Sequence, residues 1–171
     1  MIAPPAFFIQ AQIYESATSR VYRGIRAQDD RAIIIKLLKQ NYPSLRELTR
    51  YRQEYAITRS LDVEGVIKAY GQQDYQRTLV ILLEDFGGES LEYWIRQRPE
   101  AFCPMPISTF LPLAIKLSNI LSRIHSANII HKDINPGNIV LNLETSAVKI
   151  IDFGIATQFN CPNPAFKSPH V

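Results

Sequence analysis

Two carboxylates and an amide stand at fixed offsets in the second half of the chain: Asp133, Asn138 five positions on, and Asp152 nineteen beyond Asp133. Such a set can converge on one nucleotide-bound metal and one attacking hydroxyl. In phosphoryl transfer the protein has little covalent work to do, so catalysis comes from placing the nucleophile and neutralising charge around the phosphates. Carboxylates are then needed at two distinct places. Taken singly, Asp133 reads as a turn residue before Pro136 and Asp152 as a loop residue before Gly154. Both segments in order, each flanked by apolar runs, favour the chemical reading.

The elements that must hold these residues are legible from periodicity. Phe7 to Ile13, Ser19 to Arg26 and Ala32 to Leu38 alternate apolar and polar residues and predict antiparallel strands. Ser44 to Leu61 predicts a helix whose Leu45, Leu48, Tyr51, Tyr55 and Leu61 face a sheet. Val66 to Tyr70 and Leu79 to Leu83 predict two more strands, the second ended by Gly87 and Gly88. Ser90 is the expected N-cap of a short helix carrying Leu91, Trp94 and Ile95. Beyond the Pro-rich connection Cys103 to Pro106, the steps of Phe110, Leu113, Ala114, Leu117, Ile120, Leu121 and Ile124 predict a long, largely buried helix. Asn138 to Leu141 and Ala147 to Ile151 predict a strand pair around a turn at Asn142 to Ser146, holding both acidic loops on one hairpin.

Composition narrows the class. The chain has 171 residues, 46% of them apolar and 20% charged, which is ordinary soluble globular usage. A net charge of +3 from 19 basic and 16 acidic residues is too small to imply a nucleic-acid or membrane surface. Cys103 and Cys161 have no CxxC or nearby His to complete a zinc site and are expected to remain thiols. The N-terminus lacks the basic and apolar regions of a signal peptide, and no run approaches the length of a spanning helix, so a reducing cytoplasm is the expected location.

His131-Lys132-Asp133-Ile134-Asn135-Pro136-Gly137-Asn138 followed by Asp152-Phe153-Gly154 resembles the eukaryotic-type Ser/Thr protein kinase family, whose loops read H-R-D-x-x-x-x-N and D-F-G. The resemblance implies an α+β, bilobal protein-kinase-like fold, with an antiparallel-sheet small lobe carrying one helix in residues 1–86. A partial large lobe follows in 87–160 and a tail in 161–171. It implies ATP and Mg²⁺ as cofactors, with Asp133 as the base and Asn138 and Asp152 as metal ligands. Ile33-Ile34-Ile35-Lys36 resembles V-A-I-K, which makes Lys36 the phosphate contact and Glu54 its ion-pair partner, with Glu47 as the competing choice. Val21 and Val140 are implied above and below the adenine, and the Glu84 and Phe86 backbones along its edge after Leu83. His131 resembles the residue that packs under Phe153 and ties the two loops together.

Departures from the family pattern keep other readings open. Tyr14, Ser16 and Ser19 stand where the nucleotide-covering loop usually has glycines. Asn135 occupies a position that usually carries Lys, Ile34 replaces a small Ala, and Lys132 replaces the motif's Arg without its bidentate fork. The chain stops 17 residues after Gly154, with no A-P-E-like segment, so a fragment or truncated product is expected. Its style resembles the kinase-like modules of bacterial hybrid sensor proteins, which implies downstream sensor domains in a longer gene product. The expected function is phosphoryl transfer to protein hydroxyls, with a protein substrate or signalling partner. The alternatives are a pseudokinase-like nucleotide-binding or scaffold module and a small-molecule phosphotransferase of the same superfamily.

Overall fold

Side chains alternate between the two faces of a strand, so the uninterrupted apolar run from Leu79 to Leu83 requires a sheet covered on both sides. The computed structural model describes residues 6–39, 43–75, 78–97 and 105–159. Cys103, Cys161, His170 and the expected 161–171 tail lie outside the described residues. The chain divides into two units, Met1–Ser60 with Ile67–Gly87, and Leu61–Val66 with Gly88–Val171.

The first unit is a five-stranded antiparallel sheet of β1 (Phe7–Glu15), β2 (Ser19–Arg26), β3 (Arg31–Leu38), β4 (Ala69–Tyr75) and β5 (Thr78–Glu84), in the order β1-β2-β3-β5-β4, with one helix, α1 (Leu45–Ser60). Alternation along β3 and β5 sorts their side chains to two cores. Leu38, Leu79 and Ile81 are buried with Tyr51 of α1, and Leu48, Tyr55 and Leu83 pack against them. Ile33, Ile35, Val80 and Leu82 are buried with Phe7 on the opposite face, under Tyr22, Leu37, Tyr70 and Tyr75.

Two expectations for this unit need correction. The fourth strand runs over Ala69–Tyr75 rather than Val66 to Tyr70, because its polar stretch Gly71 to Asp74 is recruited by pairing with the apolar β5, and strand choice follows the partner more than local propensity. Leu45 is 77% exposed and takes no part in the buried face of α1, which is formed by Tyr51, Glu54, Ile57 and Thr58. The helix starts where Ser44 and Glu47 exchange hydrogen bonds: the Ser44 N–H donates to Glu47 Oε2 at 2.8 Å and the Glu47 N–H to Ser44 Oγ at 3.3 Å. This reciprocal capping box satisfies two backbone donors at the helix entry.

The second unit contains β6 (Glu89–Ser90), α2 (Leu91–Arg96), α3 (Ile107–Ser126), β7 (Ile129–Ile130), a 3₁₀ turn (Pro136–Asn138), β8 (Ile139–Asn142), β9 (Ala147–Ile150) and β10 (Thr157–Gln158). Strands β6, β8 and β9 form one sheet, and β7 pairs with β10. Ser90 caps α2 as expected, its Oγ accepting from the Tyr93 N–H at 3.1 Å. Leu61–Val66 belongs here because Val66 bridges Ile150 and the Ile150 N–H donates to Gly65 O at 2.8 Å. Gly65 is required at its position: φ is +92°, and a Cβ would stand 2.3 Å from Ile120 Cγ1.

The helix α3 is not largely buried. Ile120 and Ile124 are buried, whereas Ile107, Phe110, Leu111 and Ile115 are about half or more exposed. Among the described residues, β7 and β9 are the strands that pack most against it, and Gly65 lies close to Ile120 near its C-terminal end.

Candidate phosphoryl-transfer site

In the first unit the register of β3 sets the position of Lys36. It stands beside Val21 of β2 and Ile81 of β5, on the face that α1 covers. Its Nζ donates to Glu54 Oε1 at 2.6 Å, and both residues are buried. The ammonium also lies 5.7 Å from the centroid of the Tyr51 ring. A buried Lys needs such compensation, since desolvation of the charge costs more than an unpaired contact returns. Glu47, the competing partner by spacing, is taken by Ser44 instead: it accepts from both the Ser44 N–H and Oγ, which holds its carboxyl below the usual range.

Of the other first-unit residues, Val21 is half-buried in β2, opposite Lys36. Glu84 closes β5, its N–H donating to Lys68 O at 2.9 Å while its Oε2 accepts from the Lys68 N–H at 3.2 Å. Phe86 follows the strand, half-buried. Ile34 pairs across the sheet with Leu83.

The turn between β1 and β2 closes on itself. Ser16 Oγ accepts from the Ser19 N–H at 3.0 Å and the Thr18 N–H at 3.3 Å, and the Ser16 N–H donates to Ser19 O at 2.8 Å. The hydroxyl thereby satisfies two backbone donors of the turn from within the chain. Reading Ser16 as a missing glycine overlooked this. The signal available in sequence was Ser-x-x-Ser in a turn, where hydroxyls bond nearby backbone.

In the second unit His131 joins the two acidic loops. Its Nδ1 accepts from the Asp133 N–H at 3.3 Å, so Nε2 carries the proton and donates to Ile151 O at 2.9 Å. Its ring meets the fully buried Phe153 edge-on, centroids 4.6 Å apart. Burial pushes the imidazole below its usual value, against the opposing influence of the Ile151 bond and the Asp152 and Asp133 charges. Asn138 O accepts from the Ile151 N–H at 3.0 Å, a second tie between the loops.

Asp133 is exposed and gripped at both carboxylate oxygens. Asn138 Nδ2 donates to Asp133 Oδ2 at 3.0 Å and to its carbonyl at 2.9 Å. Asn135 Nδ2 donates to Asp133 Oδ1 at 3.0 Å. With its nitrogen engaged, Asn138 presents its amide oxygen on the other side. Asp152 has φ 63°, a left-handed conformation that Asp tolerates, and its Oδ1 accepts from the Gly154 N–H at 3.2 Å. Lys132 is also left-handed, with φ 67°, and its Nζ donates to Thr157 Oγ1. Val140, half-buried in β8, lies opposite Ser90 and Lys149.

Among the described residues no cluster of three or more His, Cys, Asp or Glu side chains could hold a metal by itself. Asn138 and Asp152 offer one amide oxygen and one carboxylate. That hard, sparse donor set suits a cation whose remaining positions are filled by phosphate and water.

The protein kinase domain family model matches residues 9–169. The chain is similar to the serine/threonine-protein kinase PknL of Mycobacterium tuberculosis, 28% identical over 87% of this chain and 36% of that protein. It is 33% identical to the LEAF RUST 10 disease-resistance locus receptor-like protein kinase-like 1.4 of Arabidopsis thaliana, over 81% of this chain and 20% of that protein. MAP3K epsilon protein kinase 1 of the same plant is 28% identical over 90% of this chain and 11% of its own length. The chain thus spans about a third or less of the curated relatives it matches.

Proposed function

The chain belongs to the protein kinase family, and on that premise we propose that it serves ATP-dependent phosphoryl transfer to Ser or Thr hydroxyls of a protein substrate. The observation that carries this reading is the 3.0 Å bond from Asn138 Nδ2 to Asp133 Oδ2. It couples the expected base to the expected metal ligand and orients both.

In this reading Asp133 accepts the proton of the attacking hydroxyl as that oxygen bonds to the γ-phosphorus and ADP departs. Lys36, held by Glu54, contacts the α- and β-phosphates. Val21 and Val140 supply apolar contact to the adenine, and the Glu84 and Phe86 backbones meet its polar edge. Asn138 and Asp152 hold Mg²⁺, which when bound neutralises phosphate charge. Further signalling domains in a longer gene product and a cytoplasmic location belong to the same proposal; no helix among the described residues is long and apolar enough to cross a membrane.

The test is transfer of label from radioactive ATP to protein hydroxyls, by this chain and by the full-length gene product, with Asp133→Asn as control. Transfer by the full-length protein that survives Asp133→Asn would remove Asp133 as the base. A second reading, a nucleotide-binding module without turnover, is favoured by the self-bonded Ser16 turn. Nucleotide-dependent stabilisation without transfer in either form would select it.

A further inference from the structure

Asn135 stands where the resemblance leads one to look for Lys, and its amide is fully engaged. At one end Oδ1 accepts from the Gly137 N–H at 2.9 Å and the Asn138 N–H at 3.2 Å, capping the 3₁₀ turn. At the other end Nδ2 donates to Asp133 Oδ1 at 3.0 Å and to its carbonyl at 3.3 Å. The two backbone donors settle which end of the amide is oxygen, and therefore which end faces the carboxylate.

We propose that Asn135 is a positioning residue for the Asp133 carboxylate, fixing Oδ1 while Asn138 fixes Oδ2. The proposal rests on the reading of Asp133 as the base. A terminal carboxylate torsion is broad and soft. One donor on each oxygen fixes the plane, and because the grip on Oδ1 is an amide, no cation is needed to hold the loop in order. The two ends of Asn135 do separable work: the oxygen shapes the turn and the nitrogen orients Asp133.

That separation gives opposite expectations for two substitutions. Asn135→Asp keeps an oxygen for the Gly137 and Asn138 N–H groups but sets a second carboxylate against Asp133 Oδ1. Asn135→Lys restores a donor and discards the cap. A positioning role predicts that Asn135→Asp melts within about 2 °C of the parent, yet loses on the order of 100-fold in kcat with KM for ATP unchanged within about twofold. Asn135→Lys should melt lower and keep the greater part of kcat. If activity instead tracks stability, with Asn135→Asp active and Asn135→Lys not, Asn135 is only a turn cap and the proposal is overturned.

A second measurement does not depend on turnover. In the isotope-labelled chain, Asp133→Asn should shift the side-chain NH₂ resonances of Asn135 and Asn138 together. Resonances of Asn135 that stay in place overturn the proposal even in an active enzyme. Resonances that move in a protein without transfer support the clamp and count against the kinase reading alone.

Discussion

Lys36 Nζ lies 2.6 Å from Glu54 Oε1, with both side chains buried between β3 and α1. Removing one partner leaves an uncompensated buried charge, whereas replacing both by apolar groups does not. Glu54→Leu should therefore cost about 3–5 kcal/mol in chemical denaturation, and the double substitution Lys36→Met with Glu54→Leu should recover most of it. Additive losses would mean that the two charges are not coupled.

His131 gives the fold an acid limit. Its imidazole is held below the usual 6.5 by burial, so at pH values between the folded and unfolded midpoints the unfolded chain binds the extra proton. Stability is then complete above about pH 6.5, declines as the pH falls below it, and levels off under the folded value. Melting temperatures from pH 7.5 to 5 should show this decline, and His131→Asn should flatten it. An equal slope in the variant would assign the decline to another group.

Asp152→Asn should separate charge from backbone. Asn tolerates the left-handed φ and keeps an oxygen for the Gly154 N–H, whereas Asp152→Ala adds a penalty of about 1 kcal/mol at φ 63°. We expect Asp152→Asn to melt like the parent and to lose Mg²⁺-dependent nucleotide binding by on the order of 10-fold or more. Retained binding would remove Asp152 from the metal ligands.

Ser16→Gly should release the Thr18 and Ser19 N–H groups. If the β1 to β2 turn meets the phosphates, calorimetry with a non-hydrolysable ATP analogue should show binding tightened about three- to tenfold, the equivalent of roughly one hydrogen bond. Unchanged affinity would place the turn away from the nucleotide.

Gly65→Ala should destabilise by about 1–3 kcal/mol, since a Cβ there meets the Ile120 side chain at 2.3 Å on a backbone with φ +92°. Combining it with Ile120→Ala should relieve the steric part, which a double-mutant cycle would read as coupling.

The sequence was most legible where chemistry and local geometry coincide. The five-residue offset of Asp133 and Asn138 spans one short turn, so it carries directly into the 3.0 Å bond between their side chains. Helical periodicity favoured Glu54 over Glu47 through the buried face around Tyr51, whereas the Ser44 cap that occupies Glu47 carried no such periodic signal. The bounds of β4 were misplaced because its strand character comes from β5 across the sheet, and a one-dimensional pattern carries no trace of partners such as Leu82 for Gly71 and Leu83 for Ala69. The burial of α3 was overstated for a related reason: apolar spacing shows which face can be covered, not what covers it. Asn135 and Ser16 were read as absences, of a Lys and of a glycine. Their own donors and acceptors proved to be the informative property.

The β7 to β10 ladder, Ile130 with Thr157 and Ile129 with Gln158, closes a ring around both acidic loops, and His131 ties that ring across its middle. The segment is therefore a cassette for protein engineering. A chimera that exchanged residues 131–138 alone would import half of a mutually dependent set. Exchange at junctions outside Ile129 and Gln158 would carry both loops, their tether and their closing strands as one inheritable module.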